Sequence, residues 1–262
     1  MAAKRKIVFV IVEGISDQTA LAVILGKLIQ TEEVIVEITR GDLTTEFGVT
    51  GGDIAAKVGN IIKEYSRTYS YKQADYLEVV HIIDTDGAFI GGDKVIYDPS
   101  ERIHYELDCI RTENCEGTKS RNRQKSANVR RLIPLPKVWV SVPYSIYFFS
   151  CNLDHVLHDD ANTQQGSKDN LAGRFAMKYR RDPEGFLEFI HDSAFAIDKS
   201  YKESWDFIMD TENSLKRHSN LNVFLSAGAK NVPRPYLDRR TCDESTEELT
   251  LLPTSEDDVV AE

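Results

Sequence analysis

The 262-residue chain carries a formal charge of −10 and an ordinary apolar share of 41%, enough for a buried core in one large domain or one domain with a small appendage. No run approaches the roughly 18 to 20 apolar residues that span a bilayer, so no membrane partner is expected. The charge does not exclude a nucleic-acid partner, because eight acids and no Lys or Arg fall in Thr241–Glu262, leaving −2 on the rest. That tail, rich in acids, Ser and Thr, reads as disordered.

The start, Met1 to Lys6, is basic and runs straight into Ile7–Val12. The apolar run is six residues long and ends in Glu13-Gly14 without a small-residue cleavage pattern, unlike a signal peptide, and a cytoplasmic protein is expected. Residues 6–12 are almost wholly apolar, as in a strand buried on both faces of a parallel sheet. Ser16 is placed to cap a helix reaching about Gln30, with Ala20, Leu21, Ile24, Leu25 and Leu28 inward. Val34–Ile38 reads as a second strand, the Gly-rich 41–52 as a loop, and 53–69 as a helix. Tyr76–Ile83 reads as a third strand, ending in Asp84-Thr85-Asp86-Gly87. Strand, helix, strand, helix, strand argues for an α/β parallel sheet.

Residues 106–132 are polar and mixed in charge, one or two helices closed by Pro134 and Pro136. Val138–Val142 and Ser145–Phe149 give two apolar runs interrupted by Pro143. From Asn152 to about Lys216 the pattern is helical in pieces, with Leu171, Phe175, Phe186, Phe189, Ile190, Trp205 and Ile208 as expected core. Asn220–Ala227 is a last short strand or helical turn. The expected organisation is an α/β core over 1–150, a mainly helical portion over 151–240 completing the site, and the acidic tail 241–262.

Open α/β sheets present ligands in the crevice beyond the carboxyl ends of their strands. Glu13 follows the first strand, and Asp84 and Asp86 follow the third. Three such acids repel unless a cation joins them, and carboxylate oxygens are what magnesium or manganese prefers. A single acid at a strand end is ordinarily a cap or a solvated group; the coincidence of all three favours a site. Glu13, beside metal-holding acids, is the candidate to move a proton. The Gly-rich loop lacks Gly-Lys-Ser/Thr, so no Walker-type nucleotide site is expected.

Val8–Leu25, with Val12-Glu13-Gly14 and Ser16-Asp17, and His81–Gly87, with Asp84-Thr85-Asp86-Gly87, resemble the two signature motifs of Toprim domains. The resemblance implies a Toprim-like Rossmannoid sheet in which Asp84 and Asp86 hold Mg2+ or Mn2+ and Glu13 binds metal or serves as general acid/base. Tyr147 to His158, with Asn152 and Asp154, is similar to a segment of RloB-like and OLD-like Toprim proteins of phage defence, and Lys168 to a lysine that follows it. Cys151 stands where those proteins carry proline, and Asp154 is shorter than their glutamate. This implies Asp154 as a further ligand, Lys168 as a catalytic cation, a nuclease activity in phage defence and a partner ATPase. The alternatives are a helix cap at Asn152, a first-turn acid at Asp154 and a solvated lysine at Lys168.

Between Arg111 and Arg131 seven basic residues face two acids. If this stretch is helical, Arg121, Lys125 and Asn128 or Arg131 share a face. With Arg123 and Arg130 that face is the expected seat of a phosphate backbone, RNA such as tRNA or DNA. His155 and His158, spaced i, i+3, are expected to be one core and one surface histidine rather than a ligand pair. The cysteines Cys109, Cys115, Cys151 and Cys242 show no metal spacing and are expected as free thiols. The alternatives to a nuclease are a non-catalytic metal-binding subunit of a defence complex and a phosphatase of the haloacid dehalogenase kind, whose nucleophile motif Asp84-Thr85-Asp86-Gly87 also resembles.

Overall fold

A computed structural model describes residues 5–32, 34–41, 43–45 and 53–226. The expected acidic tail and most of the expected Gly-rich loop lie outside them. The elements in chain order are β1 (Lys6–Val12), α1 (Ile15–Ile29), β2 (Val34–Arg40), α2 (Ile54–Tyr69), β3 (Tyr76–Asp84), β4 (Val95–Tyr97), β5 (His104–Tyr105), β6 (Ile110–Thr112), α3 (Cys115–Leu132), β7 (Lys137–Val138), β8 (Val142–Ser150), α4 (Leu153–His158), α5 (Gln165–Tyr179), α6 (Pro183–Ile190), α7 (Tyr201–Ile208), β9 (His218–Ser219) and α8 (Leu221–Leu225).

The main sheet has the order β2-β1-β3-β8-β7, with β9 also pairing β8. β2, β1, β3 and β8 run parallel, while β7 and β9 are antiparallel additions to β8. The result is an α/β, mostly parallel mixed sheet flanked by helices. Alternate residues of each central strand serve opposite faces. Val8, Val10 and Val12 join α1, α5, α6 and α8 in one core layer. Ile7, Phe9 and Ile11 join α2, the end of α3 and α7 in the other. Burial on both faces is why β1 and β3 read as unbroken apolar runs. The C-terminal helices therefore cover both faces of the sheet that residues 6–150 form.

Several local expectations shift. α1 starts at Ile15, one residue before the expected cap at Ser16; Gly14 is its N-cap, and the Asp17 carboxylate accepts the Gly14 N–H at 2.8 Å. Pro143 lies within β8, but pairing with β3 begins only at Tyr144, so its missing N–H costs that ladder nothing. Phe175, Phe186, Ile190, Trp205 and Ile208 are buried as expected, whereas Leu171 and Phe189 are partly exposed. Between β3 and α3 the chain inserts a second small sheet in the order β4-β6-β5. No helix among the described residues is long and apolar enough to cross a membrane.

Candidate functional site

The chain leaves β1 toward β2 on one side and reaches β3 on the other, so the gap between the ends of β1 and β3 is a topological switch point. Glu13 sits at one lip and Asp84 at the other. Together with Asp17, Asp154, Lys168 and Asp169 they line a pocket of about 370 Å3.

The turn after β3 is held on every side. Thr85 N–H donates to the Phe149 carbonyl at 2.9 Å and Asp86 N–H to the Cys151 carbonyl at 2.7 Å. The buried Thr85 hydroxyl donates to the Ser214 carbonyl at 2.9 Å. Asp86 and Gly87 then both take left-handed backbone, with φ of 50° and 63°. An acid tolerates that region at some cost and glycine at none. A Cβ on Gly87 would also lie 2.5 Å from Leu215 Cδ2. The Asp-Thr-Asp-Gly pattern thus has a backbone reason, and the reversal sends Asp84 and Asp86 to different partners.

Asp84 faces the pocket, its Oδ1 accepting the Leu153 N–H at 2.9 Å. Burial and the neighbouring Asp17, Glu13 and Asp86 carboxylates hold its own carboxyl well above the usual range. Asp86 faces α3. Its Oδ2 accepts from Lys125 Nζ at 2.5 Å, and Tyr105 donates to its Oδ1 at 3.2 Å. Burial pushes Asp86 up, but Lys125 and Arg121 outweigh it and the group is held below the ordinary range. Two carboxyls two residues apart are therefore driven in opposite directions.

Lys125 supplies the charge that separates them. Its side chain is 1% exposed and its ammonium bridges Asp86 and Glu13 Oε2, the latter at 3.1 Å. Burial would lower its pKa, yet Asp86, Glu13 and Asp84 raise it above the ordinary lysine value. Glu13 Oε1 accepts from the fully buried Thr44 hydroxyl at 3.0 Å, and Asn128 from α3 donates to the Thr44 carbonyl at 3.0 Å. Arg121, one turn earlier on α3, donates to the Asp86 carbonyl at 2.9 Å and to Tyr105 Oη at 3.2 Å.

These contacts correct the expected phosphate-binding face. Arg121, Lys125 and Asn128 do share a face, but it is the inner one. Lys125 and Asn128 are buried and Arg121 is half-buried against Asp86. No phosphate backbone reaches Lys125 in this arrangement. Arg123, Arg130 and Arg131 remain exposed.

On the opposite rim, Asn152 caps α4, accepting the His155 N–H at 2.9 Å while its amide donates to the Ala161 carbonyl at 2.9 Å. Its role in the fold is thus the capping one. It positions Asp154, which is buried and paired with Lys168 Nζ at 3.2 Å. His155 Nδ1 accepts the Cys151 N–H at 3.1 Å, which commits that ring to the α4 turn. Asp17 was not among the expected site residues. Burial raises its pKa, with Asp154 adding to the rise, while Gly14 N–H and Lys168 oppose it.

Five acids and Lys168 line the pocket. The acids offer oxygen atoms of the kind magnesium and calcium take, but no three of them bring their ligand atoms within 4.8 Å of one another. Asp84, pushed toward its neutral form by its neighbours, is the group a cation would relieve most. Asp86 is turned aside to Lys125 and does not line the pocket. Elsewhere, Glu106, Asp108 and Cys109 each bring one ligand atom within 4.8 Å of the others, the one such group among the described residues. Glu106 there already accepts Arg111 Nε at 2.6 Å. Burial and the Glu106 carboxylate push the Cys109 thiol up to about 11.

Lys125, Arg121, Tyr105 and Thr44 were missed as partners of the acids, and none lies near Glu13 or Asp84 in sequence. Comparisons with family models, with curated proteins and with solved structures each return no significant match.

Proposed function

We infer that this chain is a magnesium- or manganese-dependent nuclease with a Toprim-like fold, hydrolysing phosphodiester bonds of RNA or DNA. The observation that carries the reading is the gathering of Glu13, Asp17, Asp84 and Asp154 round one pocket at the switch point of a parallel sheet. Lys125 and Lys168 offset part of the repulsion among these acids, and Asp84, held well above its ordinary range by burial and its acid neighbours, is left for a proton or a metal cation to relieve. A divalent cation held by Glu13, Asp84 and Asp154 would polarise a phosphate and make a water more acidic.

The remaining roles belong to the protein's own groups. Lys168, at the rim beside Asp154, supplies positive charge to an incoming phosphate. Lys125 holds Asp86 below the ordinary carboxylate range and bridges it to Glu13, which lines the pocket lip. Glu13 is the group assigned to move the proton, and Asp86 is a positioning residue acting through Lys125. The resemblance to phage-defence Toprim proteins extends the reading to an anti-phage effector acting in the cytoplasm with a partner ATPase.

The test is cleavage of labelled RNA, tRNA included, and of plasmid DNA in magnesium, manganese or EDTA, beside Asp84→Asn/Asp86→Asn. Metal-dependent cleavage by the native protein and its loss, by on the order of a thousandfold, in the variant is the expected outcome. Manganese binding without cleavage would leave a non-catalytic metal-binding subunit as the reading. Neither cleavage nor metal binding would overturn both.

A further inference from the structure

The geometry points to a second anion site on the outer face of α3, a seat for a backbone phosphate of the nucleic-acid strand. The identity of its occupant rests on the nuclease reading. A separate pocket of about 220 Å3 lies between the segment that follows β3 and α3. Lys119, Arg123, Ser126 and Arg130 line it at spacings of i, i+4, i+7 and i+11, which places them in one stripe along the helix. Phe89, Ile90 and Val95 form the apolar wall opposite, and Asn122, its amide engaged by Arg121 and Gly87, closes the floor.

Three features make this stripe an anion site rather than a solvated helix face. No acid lines it, in a chain of net charge −10. Among the described residues Lys119 pairs only with Glu116, an 82% exposed side chain whose hold is weak in water. Arg123 and Arg130 have no acidic partner among the described residues, and the Arg130 guanidinium lies 5.6 Å from the centroid of Phe89. That stacking holds the arginine in place before a ligand arrives. A pocket lined by three cations fits a phosphate group with its sugar. The other face of the same helix carries Arg121 and Lys125 to Asp86. A strand seated here is therefore about one helix diameter, ~10 Å, from the acids, and α3 couples the two.

The experiment is binding of short fluorescent RNA and DNA single strands, followed by anisotropy across a salt series in EDTA. Under those conditions binding is read without cleavage. Arg123→Gln/Arg130→Gln is compared with Arg180→Gln/Arg181→Gln, which removes the same charge from another exposed site, and with Asp84→Asn/Asp86→Asn. The pocket pair is expected to weaken binding by on the order of tenfold and to lower the log–log salt slope by roughly 0.7, the change for one lost phosphate contact on a single strand. The Asp84/Asp86 variant is expected to bind at least as well as the native protein. An unchanged slope in the pocket pair, or an equal loss in the Arg180/Arg181 pair, overturns the inference. Cleavage by a pocket variant that binds like the native protein sinks this inference alone. Pocket-dependent binding by a native protein that cleaves nothing in metal sinks the nuclease reading alone.

Discussion

The two faces of α3 carry the same residue types to opposite ends. Lys125 and Arg123 are two residues apart. Lys125 is 1% exposed and bridges two carboxylates, while Arg123 is exposed and without an acidic partner among the described residues. Burial multiplies the worth of a charge: the inner lysine sits where water screens it little, and losing it leaves two largely buried acids with poor access to solvent. The outer arginine is available to a ligand because the fold makes no use of it. A helix that is polar all round can thus be structural on one side and free for binding on the other.

Lys125→Met should break this comparison most sharply. It removes the bridge between Glu13 and Asp86 and leaves only Arg121 beside Asp86, and the expected cost is about 3–5 kcal/mol by urea denaturation. A loss under 1 kcal/mol would mean that the bridge contributes little and that the inner face resembles the outer one.

Gly87→Ala attacks the reversal that turns Asp86 toward α3. The left-handed backbone and the approach to Leu215 together should cost about 2–4 kcal/mol. A variant as stable as the native protein would show that the turn relaxes freely.

His81 sharpens the comparison through pH. It is fully buried on β3, with Nδ1 2.9 Å from Tyr144 Oη. Burial, helped by the Lys125 charge, lowers its pKa from 6.5 to about 3. Between those values the unfolded chain takes up a proton that the folded one refuses. Stability is therefore full above pH 6.5 and is lost as pH falls, by up to about 1.4 kcal/mol per unit from this group. His81→Asn should flatten that part of the profile relative to the native protein; identical slopes would show that His81 is protonated in the fold.

Arg123→Ala should have the smallest effect, within about 0.5 kcal/mol of native stability. A cost near that of Lys125→Met would place Arg123 in the fold rather than on a free surface.

Much of the site's frame was legible from residue order. Buried parallel strands read as apolar runs, and the acids directly after them, Glu13 and Asp84, fall at the sheet's carboxyl edge for that reason. The Asn152 cap was also within reach, since it belongs to a local helix start, whereas Asp154 and Lys168 were singled out only by the family resemblance and their pairing is a product of the fold. The direction of α3 was not. Its inward side holds Thr118, Asn122, Lys125 and Asn128, with only Val129 and Leu132 apolar, so no hydrophobic period marks it.

The sequence by itself determined the alternation of strands and helices, and with it which acids stand at strand ends, because these follow from local pattern and the two-residue period of buried strands. Only the tertiary structure decided that Asp84 opens into the pocket while Asp86 turns to Lys125, and that Arg121 faces in while Arg123 faces out. Those choices depend on contacts between β3, β8 and a helix some forty residues away in the chain. The favourable energy of a buried ion pair exists only after the surrounding elements have excluded water.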